Sequence, residues 1–182
     1  MKEGEALKEA LKKLSPAHLK GTALRLVDQA YAEPHLVISG EGAKRHGGRF
    51  NPPVSFKVVY LTEDARVGLD EITYPLSLGG RFELPGARRV VVVPVDFALA
   101  RVIDLCQYRV RIALGTDLEE ILLPLEPYEA RGELAPTQIL GTTAFELGYT
   151  AIKYPSRHHP KTCNLAVFPE NLKRGEFLRP RP

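Results

Sequence analysis

"GEGAKRHGGRFNPP" (residues 40–53) sets four glycines, two prolines and three basic side chains within fourteen positions. Glycine and proline interrupt both helices and strands, so the stretch predicts a loop. Lys44, Arg45, His46 and Arg49 give it more positive charge than a plain turn needs. Gly40 and Gly42 begin a G-x-G, but Arg45 takes the third glycine position and no helical pattern follows, so a dinucleotide fingerprint fails. No G-K-[ST] follows the glycines, which excludes a P-loop. Gly47 and Gly48 would still let backbone approach a charged ligand closely, with the Arg49 fork beside it to match phosphate oxygens. The structural alternative for Arg49 is an ion pair that pins the loop.

Outward from this loop, the chain alternates irregularly between the two periodicities. Leu7, Ala10, Leu11 and Leu14 recur at helical spacing among lysines and glutamates, which predicts an amphipathic helix over 3–14, stopped near Ser15-Pro16. "TALRLVDQAY" (22–31) predicts a strand containing Arg25, and "KVVYLT" (57–62) another. "EDARVGLDEITYPL" follows as a helix with Thr62 as its N-cap and Ala65, Leu69, Ile72 and Leu76 as its core stripe. "GARRVVVVPVDF" (86–97) predicts a central strand and "RVIDL" (101–105) a shorter one. Residues 107–135 carry no clear period. "PTQILGTTAFELG" (136–148) predicts a helix opened by Pro136 and closed by Gly148. "YTAIKYPS" (149–156), then a loop with two histidines, then "NLAVF" (164–168) read as a hairpin-like strand pair, and the basic tail as loose. No regular βαβ alternation is present, so the fold class predicted is α+β, a single domain of short strands with flanking helices. The divisions expected are an N-terminal amphipathic extension (1–20), a main domain (21–172) and a basic tail (173–182).

Bulk properties narrow the class. A chain of 182 residues with 44% hydrophobic and 26% charged residues has the composition of an ordinary globular protein. A net charge of +3 and a pI near 8.9 are too mild to argue for nucleic acid. Two cysteines, Cys106 and Cys163, form no framework, which predicts a reducing, cytoplasmic setting. No apolar run is long enough for a membrane span, and the N-terminus lacks the apolar core of a secretory signal.

Two further features bear on chemistry. Glu71 lies off the apolar stripe of its helix, with Val67 and Tyr74 on its face, so it is either solvated or aimed into a cleft near Tyr60. In a cleft, its carboxylate would stabilise positive charge developing on a sugar ring. In "YPSRHHPKTCN" (154–164), His158, His159 and Cys163 invite a zinc site, but no fourth ligand with suitable spacing exists, so no metal is expected. Ser156 lacks a G-x-S-x-G elbow and is not read as a nucleophile.

Taken in order, "SGEGAKRHGGRFNPP", "VVYLTEDARVGLDE" and "GYTAIKYPSRHHPKTCNLAVFPENL" resemble the RES domain family, named for an arginine, a glutamate and a serine. The resemblance spans roughly residues 22–172. It implies an ADP-ribosyltransferase-like fold with a cleft for NAD+, taken as substrate and not as cofactor, and inorganic phosphate as an optional co-substrate. It further implies an NAD+-degrading toxin of a bacterial toxin–antitoxin pair, silenced by an Xre-type antitoxin and open to homodimerisation, with no membrane or direct nucleic-acid partner. By position, Arg25, Glu71 and Ser156 fall in catalytic slots, and Arg49 and Tyr60 in substrate-binding slots. Phe50 stands where the family often has tryptophan, Val54 near a place where a glycine is common, and Leu26 where some relatives place a tyrosine. The alternatives are a non-catalytic nucleotide- or antitoxin-binding domain, a protein ADP-ribosyltransferase and, from another class, an RNA-directed toxin. The last is disfavoured because few aromatic platforms (Phe50, Phe56) lie near the basic loop.

Overall fold

The computed structural model describes residues 1–66, 89–157, 159 and 161–181. In chain order the helices are α1 (Gly4–Lys13), α2 (Pro34–Val37), α3 (Glu41–His46), α4 (Tyr108–Leu114), α5 (Leu118–Leu122), α6 (Glu126–Glu129) and α7 (Pro136–Glu146). The strands are β1 (Ala17–Asp28), β2 (Val59–Thr62), β3 (Val90–Asp104), β4 (Ala151–Pro155), β5 (Cys163–Val167) and β6 (Phe177–Pro180).

The six strands form one sheet in the order β1-β2-β5-β4-β3-β6, and an additional β1–β3 pairing closes the first five into a barrel-like ring. Closure removes most of the exposed edge that an open sheet would present. All the pairings are antiparallel except β3–β4. The side-chain period of two then sorts each strand between two cores. Val59, Leu61, Val93, Val95, Leu99, Leu165 and Val167 fill one of them, inside the ring. Phe50, Val58, Leu140, Ile152, Tyr154 and Phe168 fill the other, beneath the helices.

Several elements depart from the sequence expectation. The two strands expected over 86–97 and 101–105 are one strand of 15 residues, β3, so the core is not made of short strands alone. Pro94 does not break it, because the Pro94 carbonyl turns to Arg181 N–H (2.8 Å) on the β6 side and the ladder to β1 runs on unbroken. The tail is not loose: β6 pairs with β3 from Val95↔Pro180 to Ala98↔Phe177. The stretch over 40–53 is not wholly irregular, since Glu41–His46 forms α3, with its acidic residue first and its bases last as the helix dipole favours. β1 begins at Ala17, five residues earlier than expected, whereas β4 and β5 form the antiparallel pair expected. Ala65 and Arg66 are helical, and Asp64 Oδ1 accepts from Arg66 N–H (2.8 Å), so Asp64 takes the capping role expected of Thr62. α1 packs its Leu7 and Leu11 into the helix-side core, where the Leu11 carbonyl accepts from the Tyr149 hydroxyl (2.6 Å).

The cysteines also differ from expectation. Cys106 and Cys163 are joined as a disulfide across 57 residues of sequence. β4 lies between β3 and β5, so the turn after β3 and the start of β5 meet beside it, a proximity that spacing along the chain does not reveal. Among the described residues, no helix is long and apolar enough to cross a membrane.

Candidate functional site

β1 and β2 pair at one position only, Leu24↔Thr62, whereas β1 and β3 run together from Ala17 to Asp28. Where the β1–β2 ladder stops, a side chain replaces it: Arg25 Nη1 donates to the Tyr60 carbonyl at 2.6 Å. Arg25 Nε is buried and has no hydrogen-bond partner among the described residues. Burial pushes the guanidinium below its ordinary pKa, partly opposed by the nearby Tyr60 and Tyr154 hydroxyls. A buried cation with an unfilled donor is a costly arrangement, and an anion is the natural partner for it.

The next step along the sheet is aromatic and polar. The Leu24–Thr62 pair continues to Asn164 on β5 and Tyr154 on β4, a row across four strands. Tyr60 shares the face of Thr62 by alternation. Ser156 follows directly after β4 at the same end of the sheet. It is fully buried, and its N–H donates to the Thr162 carbonyl (2.8 Å) at the base of the turn to β5.

The glycine-rich loop lies against this face and is held from three sides. The Tyr60 hydroxyl accepts from Phe50 N–H and donates to Asn51 Oδ1, both at 2.9 Å. Burial pushes the Tyr60 phenol well above its usual pKa, and the Phe50 N–H, Arg49 and Arg25 only partly counter it. Gly48 has no room for a side chain, since a Cβ there would sit 2.7 Å from the Tyr60 hydroxyl. From below, Gln138 Nε2 on α7 donates to the Gly48 carbonyl (3.2 Å) and the Asn51 carbonyl (3.4 Å). Gly141, one turn on, lets the Phe50 carbonyl touch the helix, and a Cβ there would lie 1.8 Å from that oxygen. From the side, Arg49 Nη1 donates to the Ile121 (2.7 Å) and Leu123 (3.1 Å) carbonyls at the end of α5, where the helix dipole is negative.

The structure therefore brings Arg25, Arg49 and Tyr60 together, and sets Ser156 at the same end of the sheet. Among the described residues Arg49 forms no ion pair, the structural role considered for it. It binds carbonyls, and that bond orders the loop. The glycine expected to hug a ligand, Gly48, hugs Tyr60 instead. Glu71 lies outside the described residues, as does His158. Cys163 is tied to Cys106, and among the described residues no three His, Cys, Asp or Glu side chains converge. The residues missed in the sequence are Asn51, Gln138 and Tyr154. Asn51 lay inside the quoted loop, and its lack of charge hid it. Phe50 meets Tyr154 edge to face, with centroids 4.8 Å apart.

Residues 23–179 match the RES domain family. The chain belongs to the RES family. Two curated relatives, both called NAD(+) phosphorylase MbcT, come from Mycobacterium tuberculosis and Mycobacterium bovis. Each is 35% identical over 88 residues, 46% of this chain and 46% of the relative. The match thus spans about half the length of those curated relatives. Among solved structures, the crystal structure of the M. tuberculosis MbcT–MbcA toxin–antitoxin complex superposes with a TM-score of 0.74 at 22% identity. That superposition covers 98% of this chain and 91% of the other. At that identity the likeness establishes a common fold.

Proposed function

We propose that this RES protein degrades NAD+ by cleaving the nicotinamide–ribose bond, and that it is the toxin of a bacterial pair held silent by an antitoxin protein. The observation that carries this reading is Arg25: a buried guanidinium in the gap where β1 leaves β2, with Nε lacking a partner among the described residues. A dinucleotide pyrophosphate would supply the missing acceptor, and each charge-assisted hydrogen bond of this kind is worth ~1.5–3 kcal/mol. The names of the curated relatives favour phosphorolysis over hydrolysis, with inorganic phosphate as co-substrate. The fold match to a toxin–antitoxin complex supports the antitoxin partner. An ADP-ribosyltransferase-like architecture, an Xre-type antitoxin, a homodimeric state and a cytoplasmic location belong to the same reading.

The chemistry asks little of acids and bases. Nicotinamide departs as a neutral base from a cationic ring, so no proton need be delivered to it. The demand is to orient the dinucleotide and to stabilise an oxocarbenium-like ribose. Arg25 holds the pyrophosphate. Arg49 keeps the loop in place beside it, and the Tyr60 ring supports the nucleotide while its hydroxyl serves the loop. Ser156 hydrogen-bonds substrate from the β4–β5 turn. Glu71 stabilises the ribose cation.

Incubating the purified protein with NAD+, with and without phosphate, tests this directly. Phosphate-dependent release of nicotinamide is the expected result. Release without phosphate identifies a hydrolase, and label transferred to protein identifies a transferase. Retention of NAD+ without turnover identifies a binding domain. Glu71→Ala should lower turnover by roughly 10²–10³, the usual loss when one preorganised electrostatic group is removed. Full activity in that variant would overturn the role given to Glu71.

A further inference from the structure

We infer that Asn51 is a positioning residue of the proposed NAD+ site, acting through Tyr60 and braced from α7 by Gln138. The inference rests on that functional reading but on different atoms. Asn51 is completely buried and saturates its side chain: Oδ1 accepts the Tyr60 hydroxyl, and Nδ2 donates to the Ala43 carbonyl (2.7 Å) and the Pro52 carbonyl (3.2 Å). Its backbone closes a tight turn with Gly48, N–H to carbonyl in both directions (2.9 and 3.3 Å). Gln138, only 2% exposed, spends Nε2 on that same turn and fixes its own amide by accepting Ala135 N–H on Oε1 (3.1 Å).

The directions of these bonds carry the consequence. Because both donors of the Asn51 amide are taken by carbonyls, its oxygen has to face Tyr60. Because Phe50 N–H already points at the Tyr60 oxygen, the phenol proton has to go to Asn51. The ring closed by Phe50, Tyr60 and Asn51 thereby ties the strand bearing Tyr60 to the residue that follows Arg49. Arg49 and Tyr60 hold their relative places through Asn51 and need no bond to each other. A misplacement of about 1 Å in such a site costs on the order of 10²-fold in rate.

Steady-state kinetics on Asn51→Ala, Tyr60→Phe and the double variant test the inference, with circular dichroism to establish folding. Asn51→Ala should lose about tenfold to a hundredfold in kcat/KM, with the larger part in KM, because the ligand-facing groups remain but are no longer preset. Tyr60→Phe should cost activity on the native background and less on the Asn51→Ala background, where the Tyr60–Asn51 bond is already absent and only the Phe50 N–H bond to the hydroxyl remains to be lost. Additive losses, or an Asn51→Ala variant as active as the native protein, would overturn the inference. Should Asn51→Ala fail to fold, Gln138→Met loosens the same turn from α7 and should show the same KM-weighted loss; native kinetics there would count equally against it. If the native protein turns over no NAD+, the functional reading falls. The Phe50 amide and Tyr60 ring NMR signals then still decide the clamp, because both should move in Asn51→Ala and stay fixed if Asn51 does not hold Tyr60.

Discussion

Val59 and Leu61 point into the ring of strands, while Tyr60 and Thr62, their neighbours on the same strand, face the helix layer; on β5, Leu165 and Val167 oppose Asn164 and Ala166 in the same way. The inner face is aliphatic and stabilises the fold by burial alone. The helix-covered face carries hydroxyls, an amide and a glycine-rich loop, and Arg25 reaches from β1 into the gap where β1 leaves β2. One set of strands thus separates two tasks by alternation: stability on one side, ligand chemistry on the other. The contrast predicts that substitutions on the two faces fail in different ways.

The largest effect should come where the loop meets its floor. Gly141→Ala sets a Cβ against the Phe50 carbonyl, backbone against backbone, so no side chain can swing away. A loss of about 3 kcal/mol or more is expected, at the upper end of overpacking costs. Thermal unfolding should record it as a drop of roughly 10 °C. A variant of native stability would mean that loop and helix are not in contact.

Arg25→Leu and Leu165→Ala set the two tasks, ligand chemistry and stability, directly against each other. Arg25→Leu should reduce NAD+ turnover by about 10²-fold or more. Its stability should stay within about 1 kcal/mol of native, because relief of a buried charge offsets the lost bond to Tyr60. Leu165→Ala should cost ~2–5 kcal/mol of stability and leave turnover per folded molecule nearly intact. The division of labour would be lost if Leu165→Ala abolished turnover in protein shown to be folded.

A smaller effect is expected at high pH. Burial raises the Tyr60 pKa in the folded protein, so the folded state holds this proton more tightly than the unfolded chain does. Its stabilising contribution is therefore complete below about pH 10 and declines as pH rises beyond that value. Tyr60→Phe should flatten this alkaline decline in chemical denaturation, leaving the part due to Tyr149, whose phenol is also raised by burial. Identical declines in the two proteins would show that the hydroxyl is not held as described.

The smallest change should be a gain. Val54, 87% exposed, adopts a φ of 54°, a conformation that costs a side-chain-bearing residue ~1–2 kcal/mol and a β-branched one most of all. Val54→Gly should raise stability by about 1 kcal/mol once the greater freedom of glycine in the unfolded chain is counted. Turnover should not change, and a lowered melting temperature would show the strain to be absent.

Some elements were legible in the sequence because their causes are local. The leucine spacing of α1, the β-branched run of β2 and the proline that opens α7 all signal within a few residues. Arg49, Tyr60 and Ser156 stood out through three short blocks whose order along the chain matched one family, and Arg25 through its place in the strand before them. Other elements were hidden for equally physical reasons. The expected strands over 86–97 and 101–105 stayed apart because Ala98, Leu99 and Ala100 between them carry little strand signal, and only pairing with β1 joins them into β3. The tail was called loose because four residues reveal no period until a partner strand is present. Asn51 and Gln138 carry no charge and fit no motif, so only their bonds give them a role.

Alone, the sequence determined which residue types this protein can bring to a site and which local structures flank them, because periodicity, turn chemistry and motif order are properties of neighbours. Tertiary structure decided which of those residues meet. It closed the ring through β1 and β3, joined Cys106 to Cys163, turned Arg49 toward the end of α5, and left Arg25 Nε buried with no partner among the described residues. Each of these contacts joins segments far apart in the chain, where free energy depends on burial and direction and no local pattern records it.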